Sequence, residues 1–216
     1  MIQVIPSIAI RKGKVVKMRK GDPASEKAYD ENPLDLAKRF ADHGIDVVHL
    51  VDLDGAERGS PKNYHVLEAI AGHTDLKVDF TGGICTDGDI GKAYEFGASY
   101  ITASSIAVTN PELFASWIIS YGREKMTLGA DVTDIESKNI SFRGWSKKSE
   151  ITLFDHLQYF YDRGLKYVKS TDVSRDGVLE AASFNMEGLN PTDPDDRRQI
   201  IKWMDSTARA WAARSR

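Results

Sequence analysis

The side chains able to do chemistry gather in two short stretches. Asp131 lies at the end of the run TLGADV, and the later stretch KSTDVSRDG carries Lys169, Thr171, Asp172 and Asp176. A carboxylate at a strand end either caps nearby amides or handles a proton. In Arg175-Asp176-Gly177 a turn role competes, because Asp and Gly both suit tight turns. Side chains at 169 and 171 share one face of a strand. A lysine aimed into an apolar interior is costly unless paired or deprotonated, and a desolvated lysine is a Schiff-base nucleophile. An ion pair with Asp131 or Asp172, or a strand phase off by one, would make Lys169 unremarkable. Lys17 and Arg19 either meet an anion or are solvated loop charges. The five histidines, His49 on a strand and the others on helices or their ends, show no metal-ligand spacing, so no metal is expected. Cys85 is the one cysteine and reads as a small loop side chain. Trp117, Trp145, Trp203 and Trp211 read as packing residues.

Alternating elements must position these groups. Apolar, β-rich runs over 4–8, 47–52, 77–80, 100–103, 127–132 and 166–171 read as strands. Helix-period segments over 33–43, 64–71, 86–96, 111–121 and 151–163 lie between them, several opened by Asn-Pro or Ser/Thr and most closed by glycine. Strand, helix, strand repetition means parallel strands, so the fold class is α/β, a (βα) barrel of TIM type. Six βα units are evident. Closure by strands 7 and 8 is not, because the turn-rich stretch after Gly177 leaves too little chain for two more units. Residues 1–177 form the barrel portion. Residues 178–216 form a divergent segment of the same domain, in which Pro194, Ile200, Trp203, Met204, Ala208 and Trp211 mark an amphipathic helix.

Composition narrows the partners. With 29 Lys plus Arg against 32 Asp plus Glu and no concentrated basic stretch, nucleic acid is a poor ligand. No run approaches the apolar length of a membrane span and the N-terminus lacks signal-peptide order, so a cytoplasmic location and no membrane association are expected.

The runs VVHLVDLDGA (47–56), LGADV (128–132) and TDVSRDG (171–177), with the opening IPSIAIRKGKVVKMRKGD, resemble the ProFAR isomerases of histidine biosynthesis over residues up to about 185. The resemblance implies a (βα)8 barrel that converts a phosphorylated aminoaldose ribotide to an aminoketose by Amadori rearrangement, without metal or organic cofactor. That chemistry needs two carboxyl groups held at different pKa values, an acid for the ring oxygen and a base for the C2 proton. The resemblance assigns the strand-6 carboxyl to Asp176 and substrate holding to Asp131 and Thr171. At the strand-1 position, where the family has Asp, this chain has Ala9. The family's phosphate-binding glycines after strands 3 and 4 correspond to Thr81-Gly82-Gly83 and Ala103-Ser104-Ser105, so Gly82, Gly83, Ser104 and Ser105 are candidate phosphate contacts, with Arg19 beside them. Ala181 and Ala182 replace a family Gly-Pro. At 169 the family has an apolar residue.

Three functions follow from these departures. One is an isomerase of ProFAR type, impaired by Ala9. A second is a repurposed or redesigned barrel in which Lys169 attacks a carbonyl, as in aldolases. The third is a catalytically inactive scaffold that associates with itself or another chain through an open barrel edge.

Overall fold

The computed structural model describes residues 5–133, 139–174 and 176. The expectations for 178–216, including its helix and the pair Ala181-Ala182, lie outside the described residues. The elements below belong to a compact unit, Met1–Gly177.

In chain order these are β1 (Ser7–Arg11), β2 (Lys14–Arg19), β3 (Asp22–Ala28), α1 (Pro33–Asp42), β4 (Val47–Asp52), α2 (Leu53–Arg58), α3 (Tyr64–His73), β5 (Lys77–Thr81), α4 (Asp87–Glu95), β6 (Tyr100–Ala103), α5 (Ser105–Thr109), α6 (Pro111–Tyr121), β7 (Met126–Gly129), β8 (Asp131–Val132), β9 (Asn139–Phe142), β10 (Lys147–Thr152), α7 (Leu153–Tyr161) and β11 (Tyr167–Lys169). Eight strands form one sheet in the order β11-β7-β6-β5-β4-β1-β2-β3. Strands β1, β4, β5, β6, β7 and β11 run parallel to one another, the (βα) barrel arrangement of TIM type, and β2 and β3 add antiparallel beyond β1. Among the described residues, β11 is an edge of that sheet.

Local sequence explains the helix starts. Asn32 accepts from Leu34 N at 2.8 Å with Pro33 following. Thr86 and Asp89 form a reciprocal capping box on α4, and Thr152 caps α7. Strand alternation then sorts the sheet's two faces. Phe80 stacks on Tyr64 of α3 and Met126 meets the Tyr94 hydroxyl of α4, so these positions look toward the helices. Their neighbours in the strand, Asp79 and Thr127, look to the inner face. By the same alternation, Ser7, Ala9, His49 and Thr102 are inner-face residues.

Several boundaries differ from expectation. Strand β1 begins at Ser7, after Pro6, and continues to Arg11, because Ile8 and Ile10, both fully buried, extend the apolar alternation past the expected end. The segment holding Lys17 and Arg19, for which no strand is expected, forms two further strands. Lys12-Gly13 and Lys20-Gly21 have positive φ at both residues, 50° and 73° then 54° and 69°. They sit between the paired residues Arg11 and Lys14 and between Arg19 and Asp22. These are type I′ hairpin turns. Lys17 and Arg19 therefore stand on β2. The run 127–132 divides: β7 stays in the main sheet, and β8 joins β9 and β10 in a three-stranded sheet. The expected strand 166–171 shortens to β11, with Thr171 just beyond its end. Among the described residues no helix is long and apolar enough to cross a membrane.

One buried group carries a pH dependence. His156 of α7 is 3% exposed, its Nε2 has no hydrogen-bond partner, and its ring meets Phe160 edge-on. Burial holds its pKa down at about 4, well below the ordinary histidine value. The folded state thus prefers the neutral ring, and its stability is lost as pH falls from about 6.5 toward 4, because the unfolded chain then binds the extra proton. Denaturation series across that window are expected to show a slope of roughly 1.4 kcal/mol per pH unit from this residue, absent in His156→Leu.

Candidate active site

The motif VDLDGA builds the rim on which the site stands. Asp52, fully buried, ends β4 and accepts from Gly55 N at 2.9 Å, Lys62 N at 2.6 Å, Asn63 N at 2.9 Å and Asn63 Nδ2 at 2.7 Å. Asp54 accepts from Lys12 N at 2.6 Å and Asn63 Nδ2 at 2.9 Å, which ties the β1–β2 turn to α2. Desolvation pushes the Asp54 pKa up, but the Asn63 and Lys12 hydrogen bonds outweigh it and leave the carboxyl below its ordinary value.

The glycines after β5 belong to the same rim. A Cβ on Gly82 would lie 2.1 Å from Asp52 O, and one on Gly83 would lie 2.4 Å from Gly55 O. Close backbone packing against α2 therefore requires both. Of the candidate phosphate contacts after β6, Ser105 Oγ accepts from Arg143 N at 2.9 Å. A Cβ on Gly129 would meet Ser104 Cβ at 2.9 Å, so Ser104 packs over the end of β7. Arg19 ends β2 with its backbone N bonded to Ser25 Oγ at 2.8 Å. Among the described residues its guanidinium makes no ion pair.

Asp131, Lys169, Thr171 and Asp176 come together beyond the C-terminal ends of β7 and β11, the end where parallel barrels carry chemistry. The backbone brings them there through Ala130 N to Lys169 O at 2.8 Å, Val132 N to Thr171 O at 2.9 Å and Val173 N to Val132 O at 2.8 Å. Lys169 Nζ donates to Thr171 Oγ1 at 3.0 Å, so the two do share a face. Asp172 Oδ1 accepts from Ser174 N at 3.0 Å, the local capping role open to a strand-end carboxylate.

Asp176 closes this cluster. Its carbonyl accepts from Lys20 N at 2.9 Å, joining the turn to the β2–β3 hairpin. Burial pushes the Asp176 pKa above the usual carboxylate value; Lys169 draws it down, Asp131 pushes it up and Lys17 draws it down. Asp131 is 8% exposed, and its Oδ1 is buried without a hydrogen-bond partner, as is Asp172 Oδ2. The buried Asp131 Oδ1, lacking a donor and lying near the protonatable Asp176 carboxyl, is suited to accept from a hydroxyl-bearing ligand.

Sequence reasoning missed Trp145. It sits in the β9–β10 turn with φ 65°, donates Nε1 to Asp131 Oδ2 at 2.8 Å, and packs so closely on Gly21 that a Cβ there would lie 2.6 Å from its ring. The available signal was the run NISFRGWSKKSEIT, two alternating segments around a glycine. Ala9 stands on β1 in register with Val51 of β4, with only a methyl group at the inner face.

Residues 3–189 match the family described as histidine biosynthesis protein. The chain is 45% identical over 185 residues, 86% of its length and 76% of the relative's, to the 1-(5-phosphoribosyl)-5-((5-phosphoribosylamino)methylideneamino) imidazole-4-carboxamide isomerase of Flavobacterium psychrophilum. It is 44% identical over 185 residues, with the same two coverages, to the isomerase of that name from Flavobacterium johnsoniae. The corresponding isomerase of Parabacteroides distasonis is 44% identical over 186 residues, 86% of this chain and 77% of that one. The barrel strands, the VDLDGA rim and the carboxyl cluster thus lie within a match covering most of the chain, which belongs to the histidine biosynthesis protein family.

Proposed function

We propose that this chain is a sugar isomerase of the same type, converting a phosphorylated ribosyl aminoaldose to the aminoketose at a reduced rate. The observation that carries this reading is Asp176. Its carboxyl is half-buried, raised in pKa, and placed beside Asp131, Lys169 and Thr171, as an acid for a ring oxygen should be. Asp131, with one unpartnered buried oxygen, supplies an acceptor for a sugar hydroxyl. Ala9 removes the strand-1 carboxyl, and a loss of about 10²–10⁴-fold relative to an Asp-bearing relative is the ordinary cost of missing acid–base catalysis. The test is isomerisation of the relatives' substrate by purified protein, followed by the absorbance change on ring opening. Slow, saturable turnover supports the reading; none at high enzyme concentration would sink it and leave the inactive scaffold.

The Schiff-base reading fits the geometry less well. Lys169 bonds Thr171 and lies near Asp176, a polar setting and not the apolar one that activates a nucleophilic lysine. Borohydride with a small aldehyde is expected to leave Lys169 unmodified by mass spectrometry of its peptide; a reduced adduct there would revive the aldolase-like function.

A further inference from the structure

Below the carboxyl cluster, on the inner face of the sheet, lies a second group of titratable side chains that the site above does not use. His49 of β4 is 6% exposed, and its Nδ1 is 2.8 Å from Asp79 Oδ2 of β5. Thr102 of β6 donates Oγ1 to the same carboxylate, at 2.9 Å from Oδ1 and 2.8 Å from Oδ2. Three adjacent parallel strands thus contribute one chain of bonds, Thr102 to Asp79 to His49. A carboxylate bonded to Nδ1 orients the ring and selects the tautomer whose Nε2 is the free acceptor. Among the described residues Nε2 has no hydrogen-bond partner. An imidazole held this way is built as a base.

Its surroundings on β1 are small. Ser7 is the register partner of His49, and Ala9 is the partner of Val51. Both Ser7 and Ala9 lie on the inner face. No bulky side chain of β1 therefore stands between the imidazole and the space a strand-1 carboxylate would occupy. Ala9 lies two residues further along β1 than Ser7, about 7 Å.

We propose that His49, positioned by Asp79 and Thr102, is the base that works in place of the carboxyl missing at Ala9. This rests on the isomerase reading. Asp176 gives its proton to the ring oxygen as the C1–O bond breaks, leaving a C1–N iminium and a C4 hydroxyl. His49 Nε2 takes the proton from C2, and the C–H electron pair forms the C1–C2 double bond while the iminium pair returns to nitrogen. The imidazolium then protonates C1, and the C2 hydroxyl gives its proton to Asp176 as the ketone forms. C1 is reduced and C2 oxidised within one molecule, both catalysts are regenerated, and no co-reactant is needed.

The experiment compares four proteins, the natural chain, His49→Asn, Ala9→Asp and the double variant, by kcat/KM against pH. The acid-side limb of the natural chain is expected to be absent from His49→Asn, and Ala9→Asp is expected to move that limb to lower pH, a carboxylate having replaced an imidazole as the base. His49→Asn is expected to cost about 10²–10⁴-fold in the natural background and less than about tenfold beside Ala9→Asp, whose activity also shows that the substitution leaves the fold intact. Equal losses in both backgrounds, or an acid limb that Ala9→Asp leaves unmoved, would overturn the proposal, His49 then being structural. Turnover by Ala9→Asp but not by the natural chain would overturn it together with the isomerase reading of this chain, the missing carboxyl then being the whole lesion. Turnover by neither would remove both.

Discussion

Asp176→Asn is expected to lower isomerase kcat by about 10²–10⁴-fold with little change in KM, because the amide keeps the shape of the side chain but cannot give a proton to the ring oxygen. The direction of the pKa shift sharpens this. Burial holds the Asp176 proton at a pH where an ordinary carboxyl has lost it. The rate of the natural chain should therefore decline as pH rises through that raised value, and the residual rate of Asp176→Asn should lack this limb. Stability should move the other way. A carboxyl whose folded pKa is raised contributes stability below the unfolded value and loses it as pH rises through the folded one. Above that folded value the protein therefore carries an unfavourable charge that Asn removes. Thermal melts at pH 7.5 should show Asp176→Asn at or above the natural midpoint; a marked fall would mean that the residue serves the fold and not the proton transfer.

The largest effect on stability is expected from Gly82→Ala. Its backbone has φ 115°, and the new methyl would lie 2.1 Å from Asp52 O and 2.8 Å from Asp52 C, both main-chain atoms at a buried strand end. Nothing flexible is available to move aside. Strain of this kind combines an unfavourable dihedral with overpacking, and a loss of more than about 4 kcal/mol is expected, a fall in melting temperature of roughly 8–16 °C in a domain of this size. Gly59→Ala is the control. It too has positive φ, 71°, but nothing within 4 Å of an added Cβ, so only the dihedral cost of about 1 kcal/mol should appear. Similar losses in the two variants would show that the contact with Asp52 is not what position 82 requires.

The alternation of strands and helices was legible because it rests on short-range periodicity, and the parallel strands at 47–52, 77–80 and 100–103 lie within a residue of their expected ends. What stayed hidden is instructive. The β1–β2–β3 hairpins are obscured by their charge: Lys17 and Arg19 read as anion contacts or solvated loop charges, although two Lys-Gly pairs mark the turns. The division of 127–132 between two sheets depends on β9, which pairs with β8 across a long sequence separation that no local pattern reports. Ser105 was read as an anion contact by position alone, whereas its hydroxyl is bonded to Arg143 N, a partner supplied by the hairpin. His49 was set aside because no metal-like spacing accompanied it; its partner Asp79 lies on the next strand, in register, a relation that only pairing reveals.

The buried Asp52 with its ring of amide donors separates two kinds of constraint. Asp52, Gly55 and Gly82 sit where main chain meets main chain, so the motif that makes the chain recognisable is an architectural signature. Position 9, by contrast, carries its methyl on the inner face of β1, opposite Val51. Kinship and activity are therefore written in different letters, and a barrel of this lineage can exchange its chemistry while its pedigree remains readable.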